Sequence, residues 1–314
     1  MAETSLHDVI MVGAGPSALC AAVYTTREDI ETVLVEKAVV GGLAAITDWV
    51  DNYPGFSKGI SGMDLAAELQ AQAERFGADI RYGEVSAIVD EGDKKRIETA
   101  EGPLYAKAVL IATGSDYKKL GVPGEAEYYG RGVHYCATCD GAFYREKHIA
   151  VVGGGNSAVQ EALFLTRFTT HIDLIVRSKL RASDVLQREL EKAVSEGTIT
   201  VHLETVPTEI LAADGKSVDA IVGTKAGAPF RLAIDGVFVF IGLLPNTGFL
   251  AGSAIELDEI GMIKTDAYLM TTMPGVFASG DVRSGATAQI ASAVGEGATA
   301  ALHMREYLEE QKRA

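Results

Sequence analysis

Cysteine is scarce in this chain of 314 residues: there are three, at positions 20, 136 and 139. Three cysteines cannot build the disulfide framework of a small secreted domain. Long hydrophobic runs are missing too, and none approaches the ~20 residues that a bilayer-spanning helix needs. The opening stretch, MAETSLHDVIMVGAGP, has no basic segment, long apolar segment or cleavage site of a secretory signal. These absences predict a soluble, cytoplasmic protein. Positive charge is also in short supply, with 28 Lys and Arg against 43 Asp and Glu and a formal net charge of −15. Nucleic acid and anionic membrane surfaces are therefore not expected partners. What is plentiful is apolar residue, at 47 %, and glycine, at 34 residues. That combination predicts an α/β architecture of one large or two medium domains, with a substantial core.

Two segments repeat one plan. DVIMVGAGPSALCAAVY reads as a buried strand over Val9–Val12, a glycine turn and a helix. Gly13 permits the tight turn, Gly15 lets backbone approach a pyrophosphate, and Ala18 keeps helix and strand close. The phosphates would sit at the helix N-terminus, where free N–H groups favour an anion. TVLVE then supplies a second strand ending in Glu36, at the spacing expected of an acid that binds a ribose hydroxyl. HIAVVGGGNSAVQEALFLTR repeats the arrangement with a strand over Ile149–Val152 and Gly153, Gly155 and Ala158. Its partner strand, HIDLIV, ends without an acid: Arg177 stands where Glu36 stood, with Lys179 and Arg181 close behind. An acid at that point selects a free 2′-hydroxyl, whereas arginine pairs with a 2′-phosphate. The first turn therefore points to FAD or NAD, and the second to NADPH. YAKAVLIATGS forms a strand that closes on Ala112, Thr113 and Gly114, and PGVFASGDVRSG a strand that closes on Gly280 and Asp281. Asp281 could bind a ribityl hydroxyl, with AQIASAVGEGATAAL following as a helix.

Between the two turns lies HYCATCDG, His134–Gly141, with Cys136 and Cys139 three positions apart and Asp140 next. In a cytosolic chain such a pair belongs to redox or metal chemistry more often than to a staple. By spacing alone, a working disulfide, a metal clip and two buried thiols all remain open.

The order of the motifs is more specific. GAGPSA, DNYPGF (Asp51–Phe56), ATG, CATCDG, GGGNSA, IGLLPNT (Ile241–Thr247) and GDVRSG follow one another as in a low-molecular-weight thioredoxin reductase, and the chain resembles that family over nearly its whole length. The resemblance implies two Rossmann-like domains of the pyridine nucleotide-disulfide oxidoreductase type. An FAD-binding domain would comprise 1–117 and 246–314, and an inserted NAD(P)H-binding domain 118–245 with the CxxC. It implies FAD contacts from Gly13, Gly15, Pro16, Ser17, Glu36, Lys37, Gly42, Leu43, Asn52, Val85, Ala112, Thr113, Gly114, Gly280, Asp281, Gln289 and Ile290. For NAD(P)H it implies Gly153, Gly155, Asn156, Ser157, Ala158, Arg177 and Arg181. It further implies a homodimer and a thioredoxin or thioredoxin-like protein as partner.

Under this resemblance Cys136 and Cys139 form the redox disulfide, Cys139 faces the flavin, Cys136 attacks the partner, and Asp140 delivers the proton. A thiolate at a helix start is reactive near neutral pH. With the CxxC and the nicotinamide site on one domain, that domain would swing about crossings near Gly121–Gly124 and Ile241–Thr247. Unchanged turnover with the domains rigidly cross-linked would sink that expectation. No metal site is expected, because a structural zinc needs four ligands and His134 is the one histidine near the pair. Cys20 reads as a small core residue, and His134 as a polar loop residue, with tuning of the disulfide or contact with the partner as the alternative. His7, His148, His171, His202 and His303 carry no assigned role.

Three departures from the family pattern bear on the electron donor. Gly41-Gly42-Leu43 stands where GGQ is usual, Val176-Arg177-Ser178 with Arg181 replaces HRRxxxR, and Ala288 replaces an arginine before Gln289. The latter two weaken the NADPH expectation and bring in NADH, ferredoxin or another donor that is not a pyridine nucleotide. A flavin-bound regulatory protein with a vestigial disulfide is the alternative from outside enzymology.

Overall fold

Residues 6–47, 49–50 and 52–313 are described in the computed structural model of the chain, so Met1–Ser5 and Asp51 of the DNYPGF stretch lie outside it. The chain divides into two units, Met1–Asp116 with Leu244–Ala314, and Tyr117–Leu243. The sequence puts the crossings one residue later at the first passage and two later at the second. Both crossings are short strands, β7 (Ser115–Tyr117) and β16 (Leu243–Pro245), and they pair with each other.

The first unit is built on β1 (Leu6–Val12), β2 (Thr32–Glu36), β3 (Asp79–Tyr82), β4 (Val85–Asp90), β5 (Lys95–Thr99), β6 (Leu104–Ile111) and β17 (Val276–Ala278). Their order is β3-β2-β1-β6-β5-β4, with β17 also on β6. β6 is long enough to serve two neighbours on one edge. Its start pairs antiparallel with β5 and its end pairs parallel with β17, which brings the carboxyl-terminal part of the chain beside the first nucleotide turn. The strands β1, β2 and β6 are apolar on both faces because both faces are covered. Val9, Met11, Leu34 and Leu110 pack under α1 (Pro16–Thr26) and α7 (Ile290–Arg313), while Ile10, Val12, Val33 and Ile111 face Ile255, Ile263 and Val282. α1 and α7 approach closely because Gly297 has no side chain: a Cβ there would lie 2.1 Å from the Ser17 carbonyl oxygen. The helix expected from AQIASAVGEGATAAL runs on through the charged carboxyl-terminal residues as one element of 24 residues, α7. The remaining helices of this unit are α2 (Gly42–Ala45) and α3 (Gly62–Arg75).

In the second unit β8 (Val133–His134), β9 (His148–Val152), β10 (His171–Ile175), β11 (Ile199–His202) and β15 (Gly236–Val239) form a sheet of order β11-β10-β9-β15-β8. Every pair in it is parallel. α5 (Asn156–Leu165) and α6 (Asp184–Ser195) cover one face through Val159, Ala162 and Leu190. An antiparallel meander of β12 (Thr205–Leu211), β13 (Ala220–Lys225) and β14 (Ala228–Ala233) covers the other through Ile210 and Ile221. α4 (Ala137–Asp140) is a single turn carrying the CxxC. The fold is thus α/β with two Rossmann-like sheets, as the sequence predicts. Among the described residues no helix is long and apolar enough to cross a membrane.

Candidate redox and nucleotide sites

In the first unit the carboxyl ends of β1, β2, β6 and β17 converge, the place where α/β sheets bind nucleotides. The Gly13 N–H donates to the Val35 carbonyl at 2.8 Å, which locks the turn to β2. Gly13 sits at φ +99°, and a Cβ on it would stand 2.6 Å from the Ala112 carbonyl oxygen. Only glycine satisfies both constraints. Gly15 starts α1 with no side-chain cap, and nothing lies within 4 Å of where its Cβ would be. The first N–H groups of an 11-residue helix therefore open onto free space. Gly42 comes up to the same point, its Cβ position being 3.7 Å from Gly15 Cα.

Glu36 is 8 % exposed. Its Oε2 accepts from the Ala14 N–H and its Oε1 from the Ala38 N–H, both at 2.8 Å. A carboxylate so held keeps lone pairs for two further hydroxyl donors, which is the chemistry of a ribose diol. Across the turn the Ser17 and Ser279 hydroxyls lie 2.6 Å apart, joining α1 to the end of β17. The Gly280 N–H donates to Glu296 at 2.8 Å, and Arg283 grips the same carboxylate through Nε and a terminal nitrogen. Burial, with the Glu296 charge adding to it, pushes the Asp281 carboxyl up to about 6. Asn52 donates to Gln289 at 3.0 Å across a separation of 237 residues. Thr113 Oγ1 donates to the Asn246 carbonyl, and the Asn246 side chain donates back to the Thr113 carbonyl.

These contacts join Gly13, Ser17, Glu36, Gly42, Asn52, Ala112, Thr113, Gly280 and Gln289 in one region. Pro16 opens α1 and Ile290 opens α7. Lys37 and Leu43 are exposed, and Val85 is buried in the core beside Val33 and Val35. The donor set fits FAD: an uncapped helix start for phosphate, an acceptor carboxylate for ribose, and a half-buried carboxyl at the strand end for a hydroxyl. Cys20 is half-buried on α1, where desolvation raises its thiol to about 11.

The second turn, in the other unit, repeats the backbone. The Gly153 N–H donates to the Ile175 carbonyl at 3.0 Å, and a Cβ on Gly153 would meet the Phe240 carbonyl oxygen at 2.3 Å. Gly155 starts α5 uncapped, again with open space above it. The Arg181 N–H donates to the Gly154 carbonyl and the Ser183 N–H to Asn156 Oδ1. Those two bonds fold the segment after β10 against the glycine turn. Arg177, Lys179 and Arg181 are all exposed there, and among the described residues none takes an ion pair. Asn156 and Ser157 are exposed at the start of α5 and Ala158 is buried.

Cys136 and Cys139 are joined in a disulfide, with Cα atoms 5.4 Å apart. Cys136 caps α4, and the Cys139 N–H points at its sulfur at 3.1 Å. Asp140 follows, and its Oδ2 is 3.0 Å from His134 Nδ1. His134 is not the polar loop residue that the sequence suggests. It lies on β8, 6 % exposed, between the rings of Phe238 and Tyr144. Its Nε2 is 2.7 Å from the Tyr144 hydroxyl. Burial, with the Asp140 and Asp235 charges behind it, raises the Tyr144 hydroxyl well above its ordinary value, so it stays protonated and donates. Nε2 then accepts, Nδ1 carries the proton, and Asp140 receives it. Tyr144, His134 and Asp140 form one directed chain ending beside the disulfide. Its signal in the sequence is faint: a histidine two residues before a CxxC, on a strand too short to show a period.

The sequence pattern of the pyridine nucleotide-disulphide oxidoreductase family matches residues 7–297. The chain is 40 % identical over 315 residues to a thioredoxin reductase of Listeria innocua, covering 99 % of this chain and 97 % of that one. It is 40 % identical over 312 residues to one of Bacillus subtilis, with 99 % and 97 % covered. The crystal structure of the thioredoxin reductase from Streptococcus pyogenes matches with a TM-score of 0.91 at 38 % identity, covering 98 % of this chain and 100 % of that one. The chain therefore belongs to the pyridine nucleotide-disulphide oxidoreductases, and within them to the low-molecular-weight thioredoxin reductase family.

Proposed function

We propose that this protein reduces the disulfide of a thioredoxin or thioredoxin-like protein, with FAD held by the first unit and a hydride donor, NADPH before NADH, by the second. The observation that carries this reading is the Cys136–Cys139 disulfide with Asp140 and His134 behind it, in a chain that also holds two nucleotide turns. When bound, FAD supplies a two-electron relay between the hydride donor and the disulfide. Gly13, Gly15 and Ser17 would hold its phosphates, Glu36 its ribose, and Asp281 a ribityl hydroxyl.

Reduced Cys136 attacks one sulfur of the partner's disulfide, and the partner's other sulfur leaves as a thiolate. Cys139 then attacks Cys136 in the mixed disulfide, which restores the Cys136–Cys139 bond and releases the second partner sulfur. Two electrons and two protons leave this protein for the partner. The Cys139 N–H stabilises the Cys136 thiolate, since it already points at that sulfur. Asp140 passes protons to and from the thiols, and His134, backed by Tyr144, fixes its Oδ2. The exposed arginines after β10 suit a 2′-phosphate, which favours NADPH. A homodimer in the cytoplasm completes the proposal, from the family resemblance and the composition.

The test is anaerobic titration of the flavin-loaded protein with NADPH and with NADH, followed by turnover with thioredoxin disulfide. Flavin bleaching by either nucleotide, with turnover lost in Cys136→Ser and Cys139→Ser, is expected. Bleaching by neither would transfer the donor role to ferredoxin or a similar carrier, and unchanged biological function of the serine variants would favour a regulatory flavoprotein. His134→Phe should slow disulfide turnover about tenfold and flatten its pH profile, while flavin reduction is unaffected.

A further inference from the structure

Three strands of the second unit bring four side chains together away from both the nucleotide turn and the CxxC. His148 opens β9 and His171 opens β10, and the two are register partners, so their side chains share one face. Their ring centroids are 5.2 Å apart. Asp173 stands two residues further along β10, on the same face, with its side chain 5 % exposed. Its Oδ2 lies 2.6 Å from His148 Nε2 and its Oδ1 2.6 Å from His202 Nε2. His171 Nε2 is 3.9 Å from Oδ1. The ligand atoms of His148, His171 and Asp173 all lie within 4.8 Å of one another.

The hydrogen bonds around the cluster fix where its protons are. Lys225 Nζ stands 3.3 Å from His202 Nδ1. An ammonium only donates, so Nδ1 accepts and His202 donates to Asp173 from Nε2. His171 Nδ1 faces the Gly197 carbonyl at 3.1 Å, and a carbonyl only accepts. Nδ1 therefore carries the proton, and Nε2 turns a lone pair toward the cluster, met by the Thr200 hydroxyl at 3.0 Å. An imidazole lone pair held only by a displaceable hydroxyl and a buried carboxylate thus lie on one face, beside the exposed ring of His148. Among the described residues no lysine or arginine pairs with Asp173.

We propose that His148, His171 and Asp173 form a binding site for a divalent transition-metal ion of the zinc type. Imidazole and carboxylate ligands suit zinc, nickel, cobalt and copper rather than magnesium or calcium. Around a tetrahedral zinc with bonds of about 2.0–2.1 Å the ligand atoms stand roughly 3.3 Å apart. Oδ2, the oxygen that His202 does not hold, is the ligand atom: its 2.6 Å contact with His148 Nε2 opens by under an ångström, and the other ligand atoms, all within 4.8 Å of one another, close toward that spacing by side-chain rotation. The proton between His148 Nε2 and Asp173 moves to His148 Nδ1, so ligation needs no oxidant or base. His202 holds the carboxylate from behind, in the manner of an outer-shell histidine. His148 and His171, with side chains 37 % and 30 % exposed, leave an entry path and room for a water ligand. The ion ties β9 to β10 and acts on stability, not on electron transfer.

The probe is zinc sulfate, titrated calorimetrically into the EDTA-stripped, flavin-loaded Cys20→Ser protein with its disulfide oxidised, so that no thiol competes. One ion per chain at micromolar affinity or tighter is expected. His148→Gln and His171→Gln should each weaken it at least about tenfold, and Cys136→Ser should leave it unchanged. X-ray absorption should show nitrogen and oxygen around the metal and no sulfur. The melting temperature of His171→Gln in EDTA should equal that of the parent, which separates lost ligation from lost folding. No saturable binding, binding retained in both histidine variants, or binding lost with Cys136 would each overturn the proposal.

Discussion

At the first nucleotide turn an acid ends the neighbouring strand, and at the second an arginine follows it. Glu36 is buried, and each of its oxygens is already fixed by a backbone N–H of its own unit. Arg177 and Arg181 are exposed on a segment whose backbone, not side chains, is bonded to the turn. The glycine backbones are nearly superimposable in logic: each has one position closed by a carbonyl oxygen and one open to space. The difference teaches that the first turn carries its selectivity in the folded state. Under the proposed function, the second would gain its selectivity only when a ligand orders the arginines. A resident cofactor and an exchangeable one call for that division, because an exposed charge holds little energy until it is paired.

The largest effect should come from closing either turn. Gly13→Ala combines a φ of +99° with a Cβ 2.6 Å from the Ala112 carbonyl oxygen. Strain and overlap together cost about 3 kcal/mol, or roughly a hundredfold in flavin affinity. The variant should purify colourless, with the second unit still folded by hydrogen exchange. Gly153→Ala meets the Phe240 carbonyl oxygen at 2.3 Å and should purify yellow but resist bleaching by NADPH. Loss of flavin from Gly153→Ala would break the comparison, since the two turns would then not act separately.

Asp281 gives a smaller and pH-dependent effect. Its folded value of about 6 stands above the ~3.9 of an unfolded aspartate, so the fold disfavours the ionised form. The stability this group contributes is present below about pH 4 and is lost as pH rises through 6. Flavin-free Asp281→Asn should therefore be more stable than the parent at pH 7.5, by at most ~3 kcal/mol, with the gap closing toward pH 4. Its flavin affinity should fall, because an amide replaces a carboxylate acceptor. Denaturant melts of the two flavin-free proteins at several pH values read the first effect, and fluorescence titration with FAD the second. A gap independent of pH would assign the effect to packing instead of charge.

How far the sequence carries depends on what each residue's signal is. The parallel cores are legible because TVLVE and HIAVV are apolar on both faces, and both glycine turns because their spacing is set by backbone geometry. β14 is faint: in APFRLA only Phe230 and Leu232 reach the core, both half-buried, so the strand shows little more than one alternation. The Cys136–Cys139 pair is visible as spacing, but His134 acquires its place only when β8 pairs with β15 and sets it on Phe238. Glu296 is a charge inside a helix of small residues, and its bonds to Gly280 and Arg283 depend on α7 lying over the end of β17. His148, His171 and His202 are spread over three strands and become neighbours through register alone. Contacts that arise from pairing leave no pattern along the chain.

The smallest expected effect tests the exposed arginines. Arg177→Ala and Arg181→Ala each remove a charge that has no partner among the described residues, so folding stability should stay within about 0.5 kcal/mol. If they pair with a 2′-phosphate, the ratio of kcat/KM for NADPH over NADH should fall about tenfold in each single variant, through KM and not kcat. The double variant should lose less than the product of the two, because one phosphate can be only partly neutralised twice. Stopped-flow reduction of the flavin by each nucleotide measures the ratio without the disulfide step. An unchanged ratio would mean that the basic segment does not read the ribose. The second turn would then bind the dinucleotide by backbone alone, which would make it less like the first turn than the arrangement of Arg181 against Gly154 implies.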